Sequence, residues 1–204
     1  MASHEEIIKS FEPKDNLNPK IWYTPKGKDT PKMQPEVREA LLKVAQEFIE
    51  YIKVEFFFSD IVMPGSLANY NWSKFSDADV HIVVDLEQFD KDEIPLYQEI
   101  FKIKKTLFNN NHDIKVRGYD VETYIEDSSV PRFSQGTYSI LLDEWVSEPK
   151  KDKFEIDRTT LQKKIKSWTD QIDLLISQTE DEDIDEAKKL IKKLDDKLKK
   201  YRTE

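Results

Sequence analysis

Two aspartates one residue apart, Asp77 and Asp79, open a run of aliphatic residues in the sequence (DVHIVVD, 79–85). Because side chains alternate along a β-strand, carboxylates at positions i and i+2 project from the same face. Such a pair can hold a hard cation, and Mg²⁺ is typically bound by one or two carboxylates while phosphate oxygens and water complete its coordination. The spacing therefore indicates metal-assisted phosphate chemistry, and its structural alternative is a polar turn that caps a strand.

A glycine and a serine precede these aspartates and follow a short apolar run. Pro64 and Gly65 end the predicted strand 59–63 (SDIVM), and Ser66 comes next. Free backbone N–H groups and a hydroxyl at such a turn can hold a phosphate, and glycine lets the phosphate approach the backbone closely. Taken alone, the Gly–Ser pair is weak evidence for a phosphate site, so the surrounding sequence must be considered with it.

The order of these features is more specific than any one of them. A short strand, the Gly–Ser pair, a spacer of ten residues (67–76), Asp-x-Asp, an aliphatic strand and a later acidic strand follow one another between residues 61 and 125. This arrangement resembles the nucleotidyltransferase superfamily, which includes DNA polymerase β, the tRNA CCA-adding enzymes and the antibiotic nucleotidyltransferases. The short chain and its segment NPKIW (18–22) also resemble phage-encoded members of that superfamily.

The resemblance implies roles for four residues. Gly65 and Ser66 match the pair that contacts the triphosphate, and Asp77 and Asp79 match the first two metal ligands. It also implies two divalent ions, Mg²⁺ or Mn²⁺, and a nucleoside triphosphate such as ATP as substrate. In such a site one ion lowers the pKa of the attacking hydroxyl, and the other stabilises charge on the triphosphate and the leaving oxygen.

The resemblance requires a third carboxylate, and the sequence offers two. Asp120 and Glu122 lie two apart in the predicted strand 119–125 (YDVETYI), so alternation alone does not choose between them. We predict Glu122 as the third ligand, because the family's third acid usually lies inside a hydrophobic strand, as Glu122 does between Val121 and Thr123. Asp120 is the alternative ligand, or a neighbour that supports the third ligand.

The implied reaction is attack of an acceptor hydroxyl on the α-phosphorus of a nucleoside triphosphate, with release of pyrophosphate. The sequence leaves the base open, and it leaves the acceptor open among an RNA end, a protein and a small molecule. A second hypothesis is a non-catalytic interaction protein that keeps the fold and binds a partner through its N-terminal arm and C-terminal helices. The complete set of acids favours the enzyme, because a scaffold has no need for carboxylates that repel one another without metal.

Other polar and aromatic residues are weaker candidates. His81 shares the predicted strand face of the second aspartate and could contact substrate, although a histidine in a strand is more often structural. Tyr70 and Trp72 could stack on a base, but packing is the default for large aromatic rings. Lys74 and Arg117 are candidates for phosphate contact, with a solvated position as the alternative.

The elements that must position these residues form a mixed pattern of helices and strands. Apolar residues at helical spacing begin at Pro35, which suits a first helical turn. Predicted strands lie at 59–63, 79–85, 114–116, 119–125 and 138–142, and a further helix lies at 91–108. This order predicts an α+β fold with α/β-like features, and the resemblance implies a nucleotidyltransferase-type mixed β-sheet flanked by helices.

Residues 148–204 carry a heptad pattern with 15 basic and 15 acidic side chains. A polar break at 177–183 separates two apolar seams, which predicts an antiparallel helical hairpin. The seams are Leu161, Ile165, Trp168, Ile172 and Leu175, then Ile184, Ala187, Ile191, Leu194, Leu198 and Tyr201. A heptad pattern predicts that a helix packs against another helix, but it does not show whether that helix belongs to the same chain. The sequence therefore leaves open an oligomer formed through this hairpin.

The sequence thus divides into a predicted extended N-terminal arm (1–34), a catalytic domain (35–147) and the helical hairpin (148–204). Prolines recur every six residues in the arm, from Pro13 to Pro31, which predicts an extended conformation with turns. The arm's apolar cluster is Ile21, Trp22 and Tyr23. We expect this cluster to dock the arm onto the main domain, because an exposed tryptophan is unfavourable in water.

Composition excludes several other classes of protein. The 204 residues contain no cysteine, which excludes a disulfide framework, thiolate catalysis and zinc sites of the cysteine type. No run approaches the roughly 20 apolar residues of a membrane span and no signal peptide is recognisable, so we expect a cytoplasmic protein that does not bind membranes. The net charge of −9 lies entirely before Glu148 and argues against general duplex-DNA binding, but not against phosphate bound through metal.

Overall fold

Helices and a mixed β-sheet build the protein in the computed structural model, which confirms the predicted α+β class. The structure describes residues 5, 9–10, 12–132, 134–151, 158–180 and 191, with the backbone alone described at 158, 161 and 178–180. Contacts divide the chain into one unit of Ser10–Phe154 and another of Met1–Lys9 together with Glu155–Glu204.

The strands of the first unit form two sheets. In chain order the described strands are β1 (Trp22–Tyr23), β2 (Lys32–Met33), β3 (Phe58–Met63), β4 (Ala78–Val84), β5 (Lys115–Val116), β6 (Tyr119–Asp127), β7 (Thr137–Ser139) and β8 (Glu144–Ser147). Strands β1 and β2 pair with each other, and the other six form one sheet in the order β5-β6-β4-β3-β7-β8. Neighbours β4 and β6 are parallel, and the remaining pairs are antiparallel.

Helix α1 (Pro35–Ile52) turns one apolar face inward, as its spacing predicts. Its buried residues are Val37, Leu41, Val44, Ala45, Phe48 and Ile52. Proline fits the first helical turn, where its missing N–H removes no helical hydrogen bond. Lys53 adopts the left-handed conformation (φ 56°) and ends the helix.

Helix α2 (Ile94–Asn111) connects the parallel strands β4 and β6, which need a crossover between them. The predicted start at Lys91 is early, because a turn comes first, in which the Glu93 N–H donates to the Asp90 carbonyl at 2.8 Å. The Asn109 side chain then fixes the helix to β6. It accepts from the N–H and the hydroxyl of Thr123 (3.1 and 2.9 Å) and donates to the Thr123 carbonyl (3.2 Å).

The two faces of this sheet carry different side chains. On the side of helix α2, Val80 and Thr123 are neighbours in register, and both are fully buried. On the opposite side the neighbouring pair is Asp79 and Glu122, and both residues are partly exposed. Strand alternation thus sends apolar residues under the helix and acidic residues away from it.

The N-terminal arm docks through Ile21 and Trp22, whose side chains are buried, which confirms the expected docking for these two residues, whereas Tyr23 is exposed. The Trp22 indole N–H donates to the Leu67 carbonyl at 2.7 Å. Its ring stacks on Trp145, with 4.5 Å between centroids, and meets the edge of Tyr138 at 4.9 Å. The arm is therefore part of the hydrophobic core, and it contributes the short pair β1–β2, which the sequence pattern did not predict.

The predicted strand 138–142 is shorter in the structure, because the chain turns after Ser139. The Leu142 N–H donates to the Ser139 hydroxyl at 2.9 Å, and Asp143 has a left-handed φ of 58°. The Asp143 carboxylate holds this turn by accepting hydrogen bonds from Lys32 Nζ (2.9 Å) and the Tyr138 hydroxyl (2.7 Å). Strand β8 then returns antiparallel to β7.

The second unit contains helix α3 (Arg158–Glu180), which spans the first predicted heptad seam. In this seam Ile165 is buried, whereas Ile172 is exposed. The predicted second helix of the hairpin lies outside the described residues, apart from Ile191. Among the helices that the structure describes, none combines the length and the apolar character that crossing a membrane requires.

Candidate metal centre

Three carboxylates meet at one end of the parallel pair β4–β6. Asp77 directly precedes β4, Asp79 lies in β4, and Glu122 lies in β6. One ligand oxygen of each residue lies within 4.8 Å of the other two. All three side chains are partly exposed, so the group reaches solvent.

Strand register explains how the third acid joins the two aspartates. Asp79 and Glu122 are direct neighbours in the parallel pair, and Asp77 is two residues before Asp79 on the same face. Asp120, the other acid that the sequence offered, lies apart from this group. Its carboxylate pairs with Lys115 across the hairpin β5–β6 and is exposed.

The crowding of like charges changes the acidity of Asp79. Burial, and then the carboxylates of Asp77 and Glu122, raise the pKa of Asp79 from 3.8 to about 6, although His81 and Lys105 act in the opposite direction. The negative charge of the group is therefore only partly balanced by the protein. A cation bound among these oxygens would supply the missing positive charge.

Tyr124 fixes the orientation of Glu122. Its hydroxyl donates to Glu122 Oε2 at 2.5 Å, and Lys105 Nζ lies 3.7 Å from the centre of its ring. Burial, then the hydrogen bond to Glu122, raise the pKa of Tyr124 well above its ordinary value. The hydroxyl therefore stays protonated and keeps donating. Alternation was the one sequence signal for this role, because Tyr124 is two residues beyond Glu122 on the same strand face.

The chemistry of the donor set fits a hard divalent cation. The group offers carboxylate oxygens alone, the ligand type that Mg²⁺ and Mn²⁺ prefer over nitrogen and sulfur. Carboxylates held by neighbouring hydrogen bonds, as Glu122 is by Tyr124, are typical of metal ligands in proteins. The residues could hold such an ion through Asp77, Asp79 and Glu122.

The turn after β3 lies directly against this group. Gly65 has a φ of 82°, which L-residues rarely adopt, and a Cβ atom at this position would overlap the carboxylate of Asp79. Glycine is thus needed both for the backbone conformation and for the close approach of Asp79. The Gly65 N–H donates to the Ser134 hydroxyl at 3.2 Å.

Ser66 begins a short 3₁₀ turn, Ser66–Ala68, and faces the segment that leads into the aspartates. Its hydroxyl donates to the Ser76 hydroxyl at 2.7 Å, and the Ser76 hydroxyl accepts from the Ser73 N–H at 2.9 Å. These bonds tie the Gly–Ser turn to the residue directly before Asp77. The structure therefore brings the Gly–Ser pair beside the carboxylates.

A pocket of about 460 Å³ opens next to Asp79. We call it the sheet pocket. It is lined by side chains of β4 and β6, by Pro64 and Gly65, and by residues 130–132 and 134. It shares Asp79 with the carboxylate group, so a molecule in the pocket would lie beside any ion held there.

A charged network forms part of the floor of the sheet pocket. His81 Nδ1 lies 2.6 Å from Glu126 Oε2, and Arg132 Nε contacts Oε1 of the same carboxylate. Burial raises the pKa of Glu126, but hydrogen bonds and charges from His81 and Arg132 outweigh it and lower the pKa below its ordinary value. His81 thus has a structural partner. Glu126 and Arg132 were missed as sequence candidates, because contacts between separate elements leave no local spacing.

The remaining sequence candidates have other contacts. Arg117 pairs with Glu36 at 3.8 Å, and the Trp72 indole N–H donates to the Asn16 carbonyl at 2.8 Å. Lys74 Nζ lies 5.0 Å from the centre of the next residue's aromatic ring. The packing and solvated alternatives that the sequence allowed describe these residues best.

Known proteins offer no relative from which to transfer a function. No protein-family model, no curated protein and no solved structure matches this chain. The function must therefore be inferred from the geometry and chemistry of the site itself.

Proposed function

We propose that this chain is a metal-dependent nucleotidyltransferase with a nucleotidyltransferase-type fold. It transfers a nucleoside monophosphate from a nucleoside triphosphate to an acceptor hydroxyl and releases pyrophosphate. The observation that carries the proposal is the group of Asp77, Asp79 and Glu122, with ligand oxygens within 4.8 Å of one another. The turn at Gly65, which lies in close contact with Asp79, adds a backbone N–H and a serine hydroxyl beside that group.

The three carboxylates would hold Mg²⁺ or Mn²⁺, two ions in the complete site. When bound, the ions lower the pKa of the acceptor hydroxyl and neutralise charge on the triphosphate. Asp79 is the central ligand, since it neighbours Glu122 in register and lines the sheet pocket. Tyr124 keeps one oxygen of Glu122 in a hydrogen bond and so leaves the other oxygen to the ion.

The Gly–Ser turn would receive the triphosphate. The Gly65 N–H points at the Ser134 hydroxyl, an oxygen position that a phosphate oxygen can take over. The Ser66 hydroxyl can rotate from Ser76 to phosphate without a change in the backbone. Because the turn abuts Asp79, a phosphate bound here would also touch the ions.

A thermal-shift experiment tests the proposal, because a ligand that binds only the folded state raises the melting temperature. The purified protein is heated with ATP, GTP, CTP or UTP, each with Mg²⁺, with Mn²⁺ and with EDTA. We expect at least one triphosphate to raise the melting temperature only when metal is present. The variant Asp79→Asn should lose this shift.

The matched control is Asp120→Asn, which removes a carboxylate from β6, the strand of Glu122, but outside the group. It should retain the shift with metal and triphosphate. Incubation with each α-labelled triphosphate, metal and total RNA, cell protein or small molecules then identifies the acceptor. If no triphosphate shifts the wild type with either metal, the enzyme proposal fails and the interaction protein is favoured.

A further inference from the structure

The floor of the sheet pocket has polar groups at both ends. Asp79 lies at one end, beside Gly65, and Glu126 lies on β6 four residues beyond Glu122, the register neighbour of Asp79. The Glu126 carboxylate reaches back along the floor, because it bonds His81, whose row is about 7 Å from that of Asp79 at roughly 3.3 Å per residue. The floor therefore offers polar groups at two separate points along the same pair of strands.

Apolar groups form most of the remaining lining of this pocket. They include Pro64, Val130 and Pro131, together with the Tyr124 ring. The volume of about 460 Å³ falls within the range of roughly 300–1,000 Å³ that is typical of small-molecule pockets. Apolar walls with polar groups at the floor suit a planar ring that has apolar faces and hydrogen-bonding edges.

The far end of the pocket, where Glu126 and Arg132 lie, favours an uncharged ligand. The Glu126 carboxylate is balanced by the Arg132 guanidinium and is also bonded to His81, so neither an anion nor a cation is needed to neutralise it. The Arg132 guanidinium has five N–H donors, of which Nε–H is directed at Glu126.

We infer that the sheet pocket binds the acceptor of the transfer, and that this acceptor is a nucleoside. Its base would lie between the apolar walls with its edge toward Arg132 and Glu126, and its ribose hydroxyls would lie at Asp79. The inference rests on the proposed function. A polymer acceptor, by contrast, needs an open groove with a basic face.

The transfer balances without a further reactant. The ribose hydroxyl oxygen forms a bond to the α-phosphorus, and the bond from that phosphorus to the oxygen bridging to the β-phosphorus breaks. Pyrophosphate leaves with the electron pair, and the hydroxyl proton passes to solvent. The product is two nucleosides joined through one phosphodiester.

Calorimetric titration tests this assignment. Adenosine, guanosine, cytidine and uridine are titrated into the full chain in the presence of Mg²⁺ and a non-hydrolysable triphosphate. The variant Val130→Trp narrows the pocket, and Val146→Trp is its control, since these valines are 56% and 52% exposed and Val146 lies on β8. Arg132→Met is a second variant, which removes hydrogen bonds at the far end without adding bulk.

We expect at least one nucleoside to bind the wild type and Val146→Trp equally. Its dissociation constant should rise at least 10-fold in Val130→Trp and in Arg132→Met, while the affinity for metal and triphosphate stays unchanged. Absence of nucleoside binding to the wild type overturns the inference, as does unchanged binding in both variants. A parallel loss of triphosphate affinity also overturns it, because the pocket would then hold the base of the triphosphate. Failure of the wild type to bind triphosphate with metal instead rejects the proposed function.

Discussion

In the metal-free protein, the surroundings of Asp79 disfavour its charged form. Its pKa is raised from 3.8 to about 6 by burial and by the neighbouring carboxylates. An acid whose pKa is higher in the folded state than in the unfolded state binds its proton more tightly when the protein is folded. Protonated Asp79 therefore stabilises the fold at low pH, and this stabilisation is lost as the pH rises through the folded pKa. The charged carboxylate is therefore tolerated by the fold and does not stabilise it.

The size of the stability effect follows from this change in the pKa of Asp79. Each pKa unit corresponds to about 1.36 kcal/mol, so ionisation of Asp79 lowers the free energy of unfolding by at most about 3 kcal/mol above pH 6. Salt and water at the open side of the group reduce this figure. We predict that Asp79→Asn raises the melting temperature of the metal-free protein at pH 7, by an upper limit of about 6–12 °C. At pH 4 the two proteins should be equally stable, because Asp79 is then largely protonated.

Urea unfolding in EDTA, repeated from pH 4 to pH 8, measures this effect. Asp120→Asn serves as the control, because its carboxylate is exposed and lies outside the group. The change in the free energy of unfolding caused by Asp120→Asn should show no step near pH 6. An Asp79→Asn protein that is no more stable than the wild type at pH 7, or whose advantage persists at pH 4, would refute the electrostatic reasoning. Added Mg²⁺ should stabilise the wild type and leave the variant unchanged.

Three further substitutions test the supports of the site. Gly65→Ala should lower the free energy of unfolding by about 1–3 kcal/mol and weaken Mg²⁺ binding. The new Cβ would overlap the Asp79 carboxylate, and the backbone conformation at this position favours glycine. Urea unfolding measures the first effect, and metal titration measures the second. Tyr124→Phe should weaken Mg²⁺ binding by about 10-fold with little change in the circular dichroism spectrum, since it removes the donor that orients Glu122; an unchanged affinity contradicts this role. Asn109→Leu should lower the free energy of unfolding by about 2–3 kcal/mol, because hydrogen bonds that fix α2 to β6 are lost; a loss below 1 kcal/mol in urea unfolding would count against it.

Local spacing was sufficient to predict several parts of the structure. Alternation along one strand places Asp77 and Asp79 on the same face, whatever the rest of the chain does. The apolar face of α1 follows from the 3.6-residue period, and its proline marks the first turn. Such features depend on a few consecutive residues, and the sequence contains all of them.

Long-range register could not be predicted in the same way. Asp120 and Glu122 are equivalent by alternation, and only the pairing of β6 with β4 brings Glu122 beside Asp79 and leaves Asp120 beside Lys115. Register is set by packing across the whole sheet, since a shift by one residue would reverse every side chain of the strand. The same reason explains why the contact of His81 on β4 with Glu126 on β6 had no sequence signal.

The stacking of Trp22 on Trp145 has a consequence for the order of events during synthesis. Trp22 leaves the ribosome early, and Trp145 follows about 120 residues later, which at about 5–20 residues per second takes roughly 6–25 s. Throughout that interval Trp22 lacks its stacking partner, and its other aromatic neighbour, Tyr138, is made only shortly before Trp145. Trp22 is thus among the first residues made and among the last to reach its final environment.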